Sequence, residues 1–154
     1  MTACVALGSN LGDRAAHIDF GFDQLDRLDG TSVVGRSSVL ETDPVGPPDQ
    51  GPYLNAACVL ETTLDARALL GAMLEIEATA GRQRGKDQVK WGPRTLDLDL
   101  LLFGDSVIDE PGLCVPHPRL RERLFVLQPL AEVAPDARVP PDGKTVRELL
   151  EALR

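Results

Sequence analysis

Two carboxylates interrupt an apolar run in the stretch KWGPRTLDLDLLLFGD, Lys90 to Asp105. Side chains alternate along a β-strand, so Asp97 and Asp99 share a face with Thr95 and Leu101. Leu96, Leu98, Leu100 and Leu102 then point the other way, toward a core. Same-face neighbours on a strand stand about 6–7 Å apart at Cα. Like charges at that separation raise each other's pKa unless a cation lies between them. Hard oxygen ligands at this spacing suit Mg²⁺, which keeps waters and shares phosphate oxygens with a substrate. The plainer alternative is a pair of aspartates on the wet face of an edge strand. The apolar character of the run favours a central strand, and a basic loop directly before it favours the metal.

That loop, RQRGKDQVKWGPR, sets Arg82, Arg84, Lys86, Lys90 and Arg94 against Asp87 alone, a local charge of +4 in a chain of net −8. An acidic protein with one compact basic segment is expected to take a small polyanion and no nucleic-acid or membrane partner, although on charge alone a solvated basic loop fits as well. The chain has no G-x-x-x-x-G-K-[ST] or G-x-G-x-x-G element. Phosphates would therefore be gripped by side chains, for which the planar fork of arginine is suited.

Other residues carry weaker signals. His117, between prolines in VPHPR, fits either a phosphate donor or a cap on its own loop. His17 is expected on the solvent side of a helix. With two histidines and no nucleophile beside either, a Ser/His/Asp or Cys/His triad is not suggested. Tyr53 and Asn55 share a strand face and could form a slot for a planar heterocycle, the ring stacking and the amide reading an edge. On the pattern alone an ordinary cross-strand pair is the preferred reading. Glu77 falls at the polar margin of a helix or in a site. Cys4, Cys58 and Cys114 lie among apolar neighbours and form no C-x-x-C pair, so all three read as core residues.

The elements that must hold these groups follow from periodicity. A first strand over 2–8 leads to a helix with Asn10 as N-cap, Asp13 at its third position, and an end near Leu28 and Gly30. SVVGRSSVLET reads as one strand, DPVGPPDQGP as a stiff loop, and YLNAACVLET as a strand over 53–62. A helix over 65–79 has Asp65 as N-cap, Gly81 beyond its end, and Leu69, Leu70, Met73 and Ile76 inside. The aspartate strand and short helices near 119–133 and 145–153 complete the chain. The order β-α-β-β-α-β with a helical tail predicts an α+β, ferredoxin-like antiparallel sheet with helices on both faces, three layers α-β-α. At 154 residues this is expected to be a single domain, 1–154. No apolar run approaches about 20 residues, and no basic region precedes the N-terminal apolar stretch, so the expected location is cytoplasmic.

The motifs together resemble the 6-hydroxymethyl-7,8-dihydropterin pyrophosphokinase family. KWGPRTLDLDLL is similar to its signature. ALGSNLGDR, TDPVGPPDQGPYLNAA, GRQR and VPHPRLRERLFVLQPLAEVAPD resemble further family segments in the expected order, from residue 1 to about 150. The resemblance implies transfer of the β,γ-pyrophosphate of ATP to the pterin hydroxymethyl group, releasing AMP, in folate biosynthesis. It implies two Mg²⁺ ions on Asp97 and Asp99, and a monomer acting on small molecules. It places Arg82, Arg84, Trp91, Arg94, His117 and Arg123 around the triphosphate, with Glu77 near the nucleotide. The pterin ring would stack between Tyr53 and Phe125, bonded to Asn55 and to backbone around Thr42–Val45. Arg82 and Arg94 join the two aspartates as the groups expected to act in catalysis. Three features depart from the family pattern. The loop between Arg84 and Trp91 is longer than in short members, Gly112 stands where some carry arginine, and Cys114 replaces a threonine. A Mg²⁺-dependent phosphohydrolase and a nucleotide-sensing module are the rival readings.

Overall fold

The computed structural model describes residues 1–42, 53–82 and 95–154, with the side chain of Arg82 not included. Strand β1 (Thr2–Ser9) is followed by helix α1 (Arg14–Asp26), β2 (Thr31–Arg36), β3 (Leu40–Thr42), β4 (Tyr53–Thr62) and α2 (Ala66–Arg82). Then come β5 (Asp97–Phe103), a hairpin of β6 (Ile108–Glu110) and β7 (Leu113–Val115), a 3₁₀ turn (Leu120–Glu122), and α3 (Leu124–Val133). A short ladder of β8 (Arg138–Val139) and β9 (Lys144–Thr145) precedes α4 (Val146–Leu153). The main sheet runs β2-β4-β1-β5, with β3 also on β4, and every pairing is antiparallel.

β1 is apolar from Ala3 to Leu7 because both its faces are covered. Ala3, Val5 and Leu7 join one buried cluster with Ile18, Phe22 and Leu25 of α1 and Leu69, Met73 and Ile76 of α2. The intervening Cys4 joins a second cluster with Val126, Leu127 and Leu130 of α3 and Leu149 and Leu150 of α4. Strand alternation puts these clusters on opposite faces, so helices flank the sheet on both sides. Leu70 is the exception to the predicted inner stripe of α2, being only partly buried against the first cluster. On α1, Gly21 permits close approach to the sheet: a Cβ there would stand 2.8 Å from Leu7 Cδ2.

Several boundaries differ from expectation for physical reasons. α1 starts later than predicted. Asp13 itself is the N-cap, its Oδ1 accepting from Ala16 N at 3.2 Å, and Asn10 lies before the helix in buried structure. α2 has the predicted cap, Asp65 Oδ1 accepting from Ala68 N at 2.8 Å, but continues through Gly81. The single strand expected over 32–42 is two. Between them Ser37 Oγ accepts the Ala57 N–H at 2.8 Å, a side chain standing in for a ladder carbonyl. Glu132 of α3 fixes the same break by accepting from Ser38 N and Ser38 Oγ at 3.0 and 2.9 Å.

β5 is not central. Among the described residues it pairs only with β1, so it is an edge strand. Its apolar sequence reflects helices on both faces instead of strands on both sides. The β1–β5 register also slips at Cys4/Val5: Val5 opposes Leu100 and Cys4 opposes Leu102. Leu101 is the extra residue of a β-bulge, and bulged neighbours point the same way. Leu101 and Leu102 therefore both enter the α3/α4 cluster, contrary to the strict alternation expected, while Leu96, Leu98 and Leu100 face α1 and α2 as predicted.

Candidate functional site

Asp97 and Asp99 lie N-terminal to this bulge, where alternation still holds, on the face opposite Leu98 and Leu100. Both are half-exposed and line a cavity of about 570 Å³. Thr42 and Tyr53 at the facing ends of β3 and β4, Asn55 of β4, and Arg123 and Phe125 at the start of α3 line it too. Seven of the residues expected from sequence thus share one cavity, gathered from three strands and one helix.

Its two ends differ in chemistry. At the β3–β4 end, Tyr53 and Phe125 supply aromatic surface, and the Asn55 amide donates from Nδ2 to Thr42 Oγ1 at 2.6 Å. At the β5 end the two aspartates face Arg119, Glu122 and Arg123. The Arg123 guanidinium lies 5.6 Å from the Phe125 ring centroid, a cation–π contact that joins the ends. Among the described residues no three His, Cys, Asp or Glu side chains form a closed metal cage. Two carboxylates beside an open cavity instead fit a hard cation that completes its shell with waters and substrate oxygens.

Of the two roles that its sequence context left open, His117 takes the cap on its own loop. Its Nδ1 accepts from Arg119 N at 3.2 Å, which caps the loop and puts the proton of the neutral ring on Nε2. Nε2 lies 3.8 Å from Asp99 Oδ1. Burial, then Arg123 and Arg119, push the imidazole below its ordinary pKa, against a smaller opposite pull from Asp97. At neutral pH it is a neutral donor, so the approach to Asp99 is not an ion pair.

Glu77 is not at a polar margin. It is partly buried behind β5, and its Oε2 accepts from Leu98 N at 2.7 Å. An edge strand leaves such N–H groups without a strand partner, and this carboxylate takes one from the residue between the two aspartates. Burial raises its pKa to about 7; the Leu98 N–H opposes that, and the charge of Asp97 adds to it.

Arg84, Trp91, Arg94 and Val45 lie outside the described residues, as do Lys86, Lys90 and the side chain of Arg82. Two other expectations are corrected. His17 is buried, inward on α1 beside Ile18. Cys114 is exposed on β7, whereas Cys4 and Cys58 are buried as expected. Gly112, one of the departures from the family pattern, turns the β6–β7 hairpin at φ 77°, a left-handed conformation that suits glycine better than arginine. Sequence reasoning missed Gly8 and Arg119 as cavity-lining residues. Arg119 stands two residues after His117 in the same basic run, which was a usable signal; the placement of Gly8 depends on pairing between β1 and β4.

Comparison with known proteins gives the family of the chain. Residues 4–135 match the family described as 7,8-dihydro-6-hydroxymethylpterin-pyrophosphokinase (HPPK). A Pseudomonas aeruginosa protein named 2-amino-4-hydroxy-6-hydroxymethyldihydropteridine pyrophosphokinase is 47% identical over 148 residues, covering 96% of this chain and 89% of its own. A Bacillus subtilis protein of the same name is 47% identical over 131 residues, covering 85% and 77%. The crystal structure of a Plasmodium falciparum HPPK-DHPS triple mutant with pteroate superposes with a TM-score of 0.75 at 15% identity, over 97% of this chain. The chain spans only 42% of that longer protein, and the likeness speaks for the fold alone. The extent of the family match and the identity to these relatives show that the chain belongs to the HPPK family.

Proposed function

We propose that this protein transfers the pyrophosphoryl group of ATP to the hydroxymethyl group of 6-hydroxymethyl-7,8-dihydropterin, releasing AMP, as a step of folate biosynthesis. The observation that carries the reading is the cavity itself, with a paired carboxylate at one end and an aromatic slot with an amide at the other. Such a space accommodates a phosphate chain and a planar ring together. Family membership selects this reading over a phosphohydrolase or a nucleotide sensor.

In this reading Asp97 and Asp99 would hold two Mg²⁺ ions, which would supply charge neutralisation to the phosphates. The chain's own part is positioning and electrostatics. Arg123 and the neutral Nε2–H of His117 contact phosphate oxygens, with Arg82, Arg84, Trp91 and Arg94 as further nucleotide contacts. Tyr53 and Phe125 sandwich the pterin, while Asn55 and the backbone from Thr42 to Val45 read its edge. The core strand order β2-β4-β1-β5, with the chain order strand, helix, two paired strands, helix, strand, supports a ferredoxin-like description. We take the whole chain as one domain acting as a cytoplasmic monomer; among the described residues no helix is long and apolar enough to cross a membrane.

The test is AMP production from ATP that requires both pterin and Mg²⁺. Asp97→Ala should lower it by more than about 100-fold while the circular dichroism spectrum is kept, since aligning and neutralising a transferring phosphoryl group is worth several kcal/mol. Full activity in that variant would end the metal assignment. Phosphate release without pterin would favour the hydrolase.

A further inference from the structure

Arg119, Glu122 and Arg123, which bring charge to the β5 end of the cavity, all sit on or beside the 3₁₀ turn at Leu120–Glu122. That turn has little to hold it by itself. A single 3₁₀ turn has poor hydrogen-bond geometry. Neither Arg119, before it, nor Arg123, which opens α3, makes a side-chain cap hydrogen bond. The contact of Arg123 with the Phe125 ring stays within one short stretch of chain and ties it to nothing else. Leu120 anchors the turn from below, buried in the α3/α4 cluster.

Arg121 reaches out of the turn to the β8–β9 connection. Its Nη1 and Nη2 donate to Asp142 Oδ2 and Oδ1 at 3.0 and 2.7 Å, and Nη2 also to the carbonyls of Val139 and Pro140, both at 3.3 Å. A guanidinium fork on one carboxylate fixes direction as well as distance. The far side is itself well held. Gly143 N donates to Val139 O at 3.0 Å, and Asp142 Oδ1 accepts from Lys144 N at 3.3 Å. Thr145 then caps α4, whose Leu149 and Leu150 are buried in the same cluster as Leu120. Hydrogen bonding to Arg121 holds the Asp142 carboxyl down at about 2, so the pair stays charged at neutral pH.

We infer that Arg121 is a positioning residue: its fork on Asp142 fixes the backbone from which Arg119 and Arg123 enter the cavity. The β8–β9 turn, which does not line the cavity, is thereby part of the scaffold of its anion-binding end. Arg123 is only two peptide units from Arg121, so a clamp on one limits the drift of the other. An exposed ion pair contributes little to global stability, so this one acts through what its loss sets free. The opposite end of the cavity is supported differently. Tyr53 and Asn55 come from the sheet, and Phe125 is followed by the buried Val126 and Leu127. The inference rests on the proposed function for its ligand, a nucleoside triphosphate at the β5 end.

Arg121→Ala, Asp142→Ala and the double variant test the clamp. Arg147→Ala is the control, removing the 2.8 Å ion pair to Asp136 from the same C-terminal region. ATP binding with Mg²⁺ is measured by calorimetry, and KM for ATP and for pterin by AMP production. The Arg123 Nε–H signal is followed by ¹⁵N NMR in the ligand-free proteins. Arg121→Ala and Asp142→Ala should each weaken ATP about tenfold, part of the roughly 100-fold that a displacement of about 1 Å can cost. KM for pterin should stay within about twofold, and the Arg123 signal should move. The double variant should be no worse than Arg121→Ala, since both changes remove one clamp. Arg147→Ala should keep wild-type ATP affinity with an equally small drop in urea midpoint. Wild-type ATP affinity in Arg121→Ala, an Arg123 signal that does not move in it, or additive losses in the double variant would overturn the proposal. So would an equal loss in Arg147→Ala, which would mean a general loosening of the C-terminal region. A wild-type protein that made no AMP with pterin would defeat the proposed function, while ATP binding and the Arg123 signal would still decide the clamp.

Discussion

Glu77 shows how one residue can be misjudged from its helix alone. On the pattern of α2 it sits beside the apolar stripe, yet its carboxylate serves β5, through the Leu98 N–H. That service has a measurable cost. Burial, with Asp97 nearby, raises its pKa from 4.5 to about 7, so the folded state holds a proton more tightly than the unfolded chain does. Between those values the native protein binds more protons, and stability from this group falls as pH rises. Above about 7 the penalty is complete; below 4.5 it is absent. In Mg²⁺-free urea unfolding, the midpoint of Glu77→Gln should therefore gain on wild type as pH rises through that window. Glutamine keeps an acceptor for Leu98 N, so the gain is the relief of a buried charge. A gap between the two midpoints that stays constant with pH would contradict the assignment.

At the level of elements, what the sequence could reveal depended on how local the cause was. The facing of Asp97, Asp99, Tyr53 and Asn55 was legible because strand alternation is a property of each strand by itself. The inward turn of Leu102 was not, because the bulge at Leu101 exists only against β1. The edge position of β5 was hidden for a related reason: covering by helices and covering by strands leave the same apolar signature. The break at Ser37 was equally hidden, since its hydroxyl acts on Ala57, twenty residues along the chain. Close packing between elements gives a direct test. At Gly21 an added methyl would meet Leu7 Cδ2 at 2.8 Å, and Leu7 is fully buried with little room to yield. Alanine gains about 1 kcal/mol over glycine inside a helix, but overpacking costs about 1–3 kcal/mol. Gly21→Ala should thus lower stability by about 1 kcal/mol net in urea unfolding. A more stable variant would mean that α1 can ride outward on the sheet.

For the whole molecule, the two hydrophobic layers each contain one natural reporter. Cys58 is in the layer beneath α1 and α2, and Cys4 in the layer beneath α3 and α4. Burial pushes both thiols up to about 12, and neither has a thiolate to offer a reagent at neutral pH. Cys114, exposed on its hairpin, is the contrast. In the native protein a thiol reagent should modify Cys114 quickly and the other two only as fast as their layers open. Peptide mapping after timed labelling would show whether the layers open together or one at a time. Rapid modification of Cys4 or Cys58 would contradict the packing. β1 touches both layers and is the middle of the sheet, yet it is the first strand in the chain. Its strand partners begin at Tyr53 and Asp97, so a nascent chain must carry this apolar segment without its first strand neighbour until β4 emerges, and without its second until nearly two-thirds of the sequence has followed. Pairing of β1 on both sides joins pieces distant in the chain, which favours slow folding. It also makes a separately added N-terminal peptide the natural missing piece for a protein cut within residues 43–52.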